Sequence, residues 1–300
     1  MTPLSTRSGI WLPLITPFRD GAVDFPSLRR LVRHYAGLPV DGLILGATTG
    51  EALALDDDEL HRLTVEAAEA LAGYGHAPTL FIGLSGSDTR KMVKAVRRVA
   101  ALPVAGCLIA CPYYVRPSQE GLYHHFLTIA EAADQPLWIY NIPYRTGVNM
   151  SNNTLLRLAE HPRITGLKDC CAEAGQSFDL LCRRPPGFQV FTGEDASYFA
   201  ALAQGADGGI LASAHVETAA FARVGDLLRQ DRLAEALVQW RAIATLTGLL
   251  FAEPNPAPVK HWLWREGLID SPELRLPMTG VSAALAQRLD AEIERRRAFR

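Results

Sequence analysis

Long apolar runs are missing from this sequence. No stretch approaches the roughly eighteen uninterrupted apolar residues of a membrane span, although 48% of the chain is hydrophobic. A surplus of either charge is missing too: 30 Lys and Arg stand against 32 Asp and Glu, a net charge of −2. That balance gives no electrostatic case for nucleic acid or for an acidic membrane surface. The first nine residues lack the apolar core of a secretory signal, so a cytoplasmic location is expected. Cysteine is scarce and odd in number. Cys107, Cys111, Cys170, Cys171 and Cys182 lie in or beside apolar runs and read as reduced thiols, not as a disulfide frame. Neither His-x-x-x-His nor Cys-x-x-Cys occurs, so the usual zinc spacings are absent, and neither a metal nor a cofactor is expected. No Gly-x-Gly-x-x-Gly follows the first strand candidate, and Gly83-Leu-Ser-Gly86 is too short to cradle a phosphate.

What is present is an alternation. Apolar strand candidates at 10–15, 42–47, 79–83, 106–111, Leu137–Asn141, 164–168, 188–192 and 208–212 are separated by segments of helical periodicity, among them 25–35, 59–71, 89–100, 120–133 and 155–159. Near-continuous apolar strands between helices imply a parallel sheet buried on both faces. Eight units at roughly thirty-residue spacing predict an α/β fold of the (β/α)₈ TIM-barrel type. An open doubly wound sheet is the alternative. After residue 212 the pattern is wholly helical, over 219–228, Leu233–Leu250, 258–266 and Ala283–Arg297. We therefore expect a barrel over residues 1–220 and an appended helical subdomain over 221–300.

In such a barrel the chemistry sits at the C-terminal strand ends. Those ends read Ala47-Thr-Thr-Gly-Glu51, Pro112-Tyr-Tyr114, Tyr140-Asn141, Lys168-Asp169 and Thr192-Gly-Glu-Asp195. Each has an ordinary reading: Thr48 and Thr49 as helix caps, Asp195 as the cap of the helix that follows, Glu51 as a tie between loops, Lys168 as a lysine snorkelling into solvent. Together they surround one lysine with hydroxyls and small residues that expose backbone. An ammonium at a buried strand end is costly to desolvate, so its neutral amine becomes available for Schiff-base chemistry.

The motifs Thr48-Thr-Gly-Glu51, Pro112-Tyr-Tyr-Val-Arg-Pro-Ser-Gln-Glu-Gly-Leu-Tyr123, Tyr140-Asn-Ile-Pro-Tyr-Arg-Thr-Gly147, Gly166-Leu-Lys168 and Glu253-Pro-Asn-Pro256 resemble the dihydrodipicolinate synthases, a family of pyruvate-dependent class I aldolases. The likeness runs from about Gly9 to Met278. It implies a lyase of the lysine (diaminopimelate) route that condenses pyruvate with L-aspartate 4-semialdehyde. Lys168 would form the imine, and Thr48, Tyr140 and Tyr114 the proton relay. Thr49 would hold the pyruvate carboxylate, with the Ile210 carbonyl and Gly193 lining the same pocket. Arg145 would hold the carboxylate of the aldehyde, a task suited to guanidinium. The resemblance further implies a homo-oligomer, a dimer of dimers, in which Tyr114 reaches into a neighbouring copy.

Ala47, Tyr144 and His215 depart from the family pattern, His215 reading as a cap or packing residue. Tyr144 leaves open a paralogous lyase or dehydratase acting on a sialic acid or keto-deoxy-sugar acid. A third reading, a barrel kept for binding alone, would call for loss of the lysine or the relay, and both are present. Lysine-sensitive relatives hold lysine in a pocket where this chain aligns Asp57, Leu60, Ser87 and Lys91 beside Tyr113, so weak inhibition or none is expected.

Overall fold

Runs in which almost every side chain is apolar have two faces to bury, and here they become parallel strands with helices outside them. The computed structural model describes residues 9–171 and 173–298. Its barrel strands are β1 (Ile10–Pro13), β2 (Gly42–Leu45), β3 (Thr79–Leu84), β4 (Gly106–Ala110), β5 (Leu137–Asn141), β6 (Ile164–Asp169), β7 (Gln189–Thr192) and β8 (Gly208–Ile210). They pair in sequence order, and β8 closes the barrel on β1 with Trp11 opposite Ile210. The helices that follow each strand are α1 (Phe25–Ala36), α2 (Asp57–Leu71), α3 (Thr89–Val99), α4 (Gln119–Ala132), α5 (Asn152–Leu158), α6 (Ala174–Arg183), α7 (Tyr198–Ala203) and α8 (Thr218–Arg229). Side-chain caps start several of them: Asp56 and Glu59 form a capping box on α2, and Asp88, Ser118 and Ser151 cap α3, α4 and α5. Three further helices complete the chain, α9 (Leu233–Leu250), α10 (Ala257–Arg265) and α11 (Ala283–Arg297). The architecture is the TIM barrel with C-terminal helices that the alternation predicts.

The barrel interior is floored by aromatic rings. Trp11, Phe81, Trp138 and Phe191 meet at centroid distances of 4.4–4.9 Å along Trp11–Phe81, Trp11–Trp138, Phe81–Trp138 and Trp138–Phe191. Such rings fit only because the neighbouring strand is bare. A Cβ on Gly42 would lie 2.1 Å from the Trp11 ring, and one on Gly106 2.4 Å from Phe81. Side chains alternate along a strand, so Tyr140 faces inward with Trp138, and Lys168 with Gly166. Register sets Tyr140 beside Lys168, one layer above the floor.

Two features differ from expectation. A small hairpin, Phe18–Arg19 with Ala22–Val23, follows β1. Its turn, Asp20-Gly21, has φ of 52° and 79°, the positive-φ pair that an Asp-Gly turn supplies. Several strands also end earlier than their apolar runs, β1 at Pro13 and β8 at Ile210, although Leu14 N still donates to Ile44 O and Leu211 N to Trp11 O. Helix α8 runs unbroken through residues 220 and 221. Leu28 and Tyr35 of α1, Phe221 of α8, Ile243 of α9, Trp262 of α10 and Leu289 of α11 share one core. Among the described residues no helix is long and apolar enough to cross a membrane.

Candidate active site

Lys168 rises from β6 into the mouth of the barrel and is 5% exposed. Its Nζ lies 4.3 Å from the centroid of the Tyr140 ring. Burial pushes its pKa down; Arg145 pushes the same way, while Cys170, Asp195 and Glu194 pull it back up. Tyr140 is as deeply buried, and burial drives its phenol well above the ordinary range, eased by a hydrogen bond with Thr48. At neutral pH the phenol therefore keeps its proton, and the lysine releases one more readily than a solvated lysine does. A neutral amine, a protonated phenol and a threonine hydroxyl in sequence can form an imine and shuttle its protons.

The stem of Lys168 is packed against bare backbone. A Cβ on Gly193, just past β7, would sit 2.4 Å from Lys168 Cε and 2.4 Å from Cys170 Sγ. Gly193 thus leaves the room that Lys168 needs. Ile210, at the end of β8, is fully buried in the inner cluster that also contains Tyr140 and Cys170.

The loop after β2 is a turn of 3₁₀ helix, Thr48–Gly50, ended by Glu51 at φ 54°. Thr49 is buried, and its Oγ1 accepts a hydrogen bond of 2.9 Å from Asn255 Nδ2. Glu51 turns away from the mouth to an ion pair with Lys260 of α10 at 2.5 Å, where both side chains are almost wholly buried. Its other oxygen accepts from Arg275 N at 3.1 Å. Glu51 ties loops together, as expected, and the tie runs to the C-terminal helices. Asn255 belongs to the motif Glu253-Pro-Asn-Pro256, but the sequence assigns no role to it or to Lys260. The signal was there: a lysine inside the apolar segment Ala257-Pro-Val-Lys-His-Trp-Leu263.

Arg145 sits on a single helical turn, Pro143–Thr146, that opens with proline and closes on Gly147 at φ 77°. Asn141 fastens this loop, its Oδ1 accepting from Met150 N at 3.1 Å and its Nδ2 donating to Asn149 Oδ1 at 2.9 Å. The Arg145 guanidinium is exposed and 5.8 Å from the Tyr144 ring centroid. Tyr144 is 63% exposed, and its phenol is pushed up, by burial first and then by Cys170 and Glu194.

Tyr114 stands apart from this group. It is 91% exposed, with φ 72°, and its backbone N donates to Thr146 O at 3.2 Å. Tyr113 is held from the other side, its carbonyl accepting 2.6 Å from Ser87 Oγ. Asp57 is paired with Arg98 at 3.0 Å.

Asp195 does not cap the helix that follows it. The short turn Asp195–Ser197 has no side-chain cap, and the Asp195 carboxylate accepts instead from Ser213 N at 2.6 Å, joining the loops after β7 and β8. Burial raises it to about 6. His215 is a packing residue. Its Nδ1 faces Ala212 O at 2.8 Å, Nε2 accepts from Ile15 N at 3.4 Å, and burial lowers its pKa to about 4. A ring donating through Nδ1 and accepting at Nε2 is neutral. Among the described residues no group of three or more His, Cys, Asp or Glu could hold a metal ion.

Comparison with known proteins extends over nearly the whole chain. The 4-hydroxy-tetrahydrodipicolinate synthase 2 of Clostridium acetobutylicum is 42% identical over 285 residues, 94% of this chain and 98% of that protein. The crystal structure of dihydrodipicolinate synthase from Aquifex aeolicus superposes with a TM-score of 0.92 at 29% identity, covering 96% of this chain and 98% of that one. The chloride-inhibited dihydrodipicolinate synthase from Acinetobacter baumannii, complexed with pyruvate, gives a TM-score of 0.90 at 32% identity over 95% and 97%. A sequence model of the Dihydrodipicolinate synthetase family matches residues 6–296, so the chain belongs to that family.

Proposed function

We propose that this protein is a 4-hydroxy-tetrahydrodipicolinate synthase, condensing pyruvate with L-aspartate 4-semialdehyde through a Schiff base on Lys168. One observation carries the reading: Lys168 is buried at a strand end over Tyr140 and, among the described residues, has no carboxylate within ion-pair distance. Its neutral amine adds to the keto carbon of pyruvate. The carbinolamine loses water as Tyr140 delivers the proton, and Thr48 passes protons on to Tyr140. Loss of a methyl proton turns the imine into an enamine, whose carbon attacks the aldehyde and forms the new C–C bond. The substrate's own amine then displaces Lys168, closing the ring and freeing the enzyme.

Thr49 and the amides of its turn are assigned to the pyruvate carboxylate, with Gly193 and the Ile210 carbonyl completing the pocket. Arg145, exposed at the rim, is assigned to the carboxylate of the aldehyde. Tyr114 is assigned to the relay of a neighbouring copy, which its outward exposure supports, and we place the protein in the cytoplasm as a dimer of dimers. An assay with pyruvate and a panel of aldehydes tests the reading: aspartate semialdehyde should be consumed fastest. Faster turnover of a sialic or keto-deoxy-sugar acid would replace this reading with the paralogous lyase.

A further inference from the structure

Glu194 follows Gly193 at the end of β7, and sequence gave it no role of its own. Its amide donates to Thr192 Oγ1 at 3.2 Å, which fixes the backbone and aims the side chain. Its carboxylate oxygen Oε1 is buried and has no hydrogen-bond partner among the described residues. A carboxylate oxygen kept from water without a donor is costly, so the site is incomplete as it stands. The other carboxylates nearby are satisfied. Asp169 accepts from Cys171 N at 2.9 Å and Ser177 Oγ at 2.5 Å, and Asp195 accepts from Ser213 N at 2.6 Å.

Space is available beside it. A cavity of about 270 Å³ reaches Glu194, Tyr144, Cys170 and Thr192 from between α6 and α7, where Ser177 and Ala201 line it. The Tyr144 phenol and the Cys170 thiol both interact with the Glu194 carboxylate by charge and by hydrogen bonding, and burial above all keeps both protonated. Lys168 feels it as well. The mouth carries a cation, Arg145, and an anion, Glu194, one of whose oxygens has no partner among the described residues, with Tyr144 interacting with each. A molecule bearing both charges fits that pair; one bearing only a carboxylate leaves Glu194 unsatisfied.

We propose that Glu194, flanked by Tyr144, is the specificity residue that receives the ammonium group of the aldehyde substrate, opposite the carboxylate held by Arg145. The inference rests on the pyruvate and aspartate-semialdehyde reading above. It also gives the amine a place near the imine it must later displace.

The test compares L-aspartate 4-semialdehyde with succinic semialdehyde, the same skeleton without the amine, in wild-type, Glu194→Gln and Glu194→Asp enzyme. Where the deaminated aldehyde is not turned over, its inhibition constant is read instead. Glu194→Gln should lower kcat/KM for the aminated aldehyde by about 10–100-fold, mainly through KM, as expected for loss of one charge-assisted hydrogen bond. The constant for the deaminated aldehyde should stay within about threefold, and Glu194→Asp should recover part of the loss. Borohydride trapping of pyruvate, unchanged in both variants, reports that they are folded. An equal loss for the two aldehydes, or no loss, would overturn the inference while leaving the reaction intact. Wild-type preference for a sugar acid would overturn the substrate reading and this inference together.

Discussion

Two of the described lysines are buried, and they occupy opposite chemical situations. Lys168 and Lys260 are 5% and 0% exposed, and each Nζ lies 4.3 Å from an aromatic ring, of Tyr140 and of Phe18. Burial lowers the pKa of both. Lys260 then finds Glu51 at 2.5 Å and the Glu273 carbonyl at 2.8 Å, and settles at about 8. Lys168 has no ion pair among the described residues; the carboxylates that pull on it, Asp195 and Glu194, act from a distance. Burial alone therefore does not make a nucleophile. A buried lysine with a partner is a structural tie, and one without a partner keeps its lone pair accessible.

That contrast can be broken by substitution. Lys168→Met should reduce kcat by at least about 10⁴-fold, the scale of removing a covalent nucleophile. Its melting temperature should hold or rise, because an unpaired buried amine is replaced by an apolar chain. Lys260→Met should do the reverse. It strands Glu51, whose side chain is 2% exposed, and should cost about 3–5 kcal/mol in a urea titration. Adding Glu51→Gln should recover most of that loss. A Lys260→Met protein as stable as wild type would show that the pair is not the tie described here.

A smaller effect concerns His215. Burial holds its pKa at about 4, below the ordinary 6.5. As the pH falls below 6.5 the unfolded chain takes up this proton first, so this contribution to stability is full above 6.5 and lost towards pH 4. His215→Asn should remove about 3 kcal/mol of that acid loss. The raised carboxyl of Asp195 acts with the opposite sign in both proteins and cancels from the comparison. Matched urea titrations at pH 7 and pH 4.5 measure it, and an unchanged pH dependence would count against the neutral ring. Smallest of all, millimolar lysine should leave the initial rate within about twofold. On the alignment the resemblance implies, Lys91 would set like charge against the ligand's ammonium, and Asp57 is paired with Arg98.

The barrel was legible because a sheet buried on both faces writes itself as apolar runs at regular spacing, and Lys168 and Tyr140 stood out by ending two of them. The hairpin at Asp20-Gly21 carries its own signal too, in an Asp-Gly turn between short strands. Long-range pairing was less accessible. Glu51 could be read as a tie, but its partner lies 209 positions away, and although Lys260 stands in an apolar segment, nothing local pairs it with Glu51. Asp195 stands shortly before a helix and so reads as a cap, yet the cap positions fall on Glu194 and Ser197, and the carboxylate accepts from Ser213 N in the next strand's loop. Glu194 lay in a quoted strand end, but its orphaned oxygen is a property of packing and has no local signature.

The most direct test is to trap the imine. The protein is mixed with pyruvate, reduced with borohydride, weighed intact and mapped by peptide. We predict one reduced pyruvate adduct per chain, located on Lys168 and absent from Lys168→Ala. An adduct on Lys260 or any other lysine, or no adduct at all, would contradict the account.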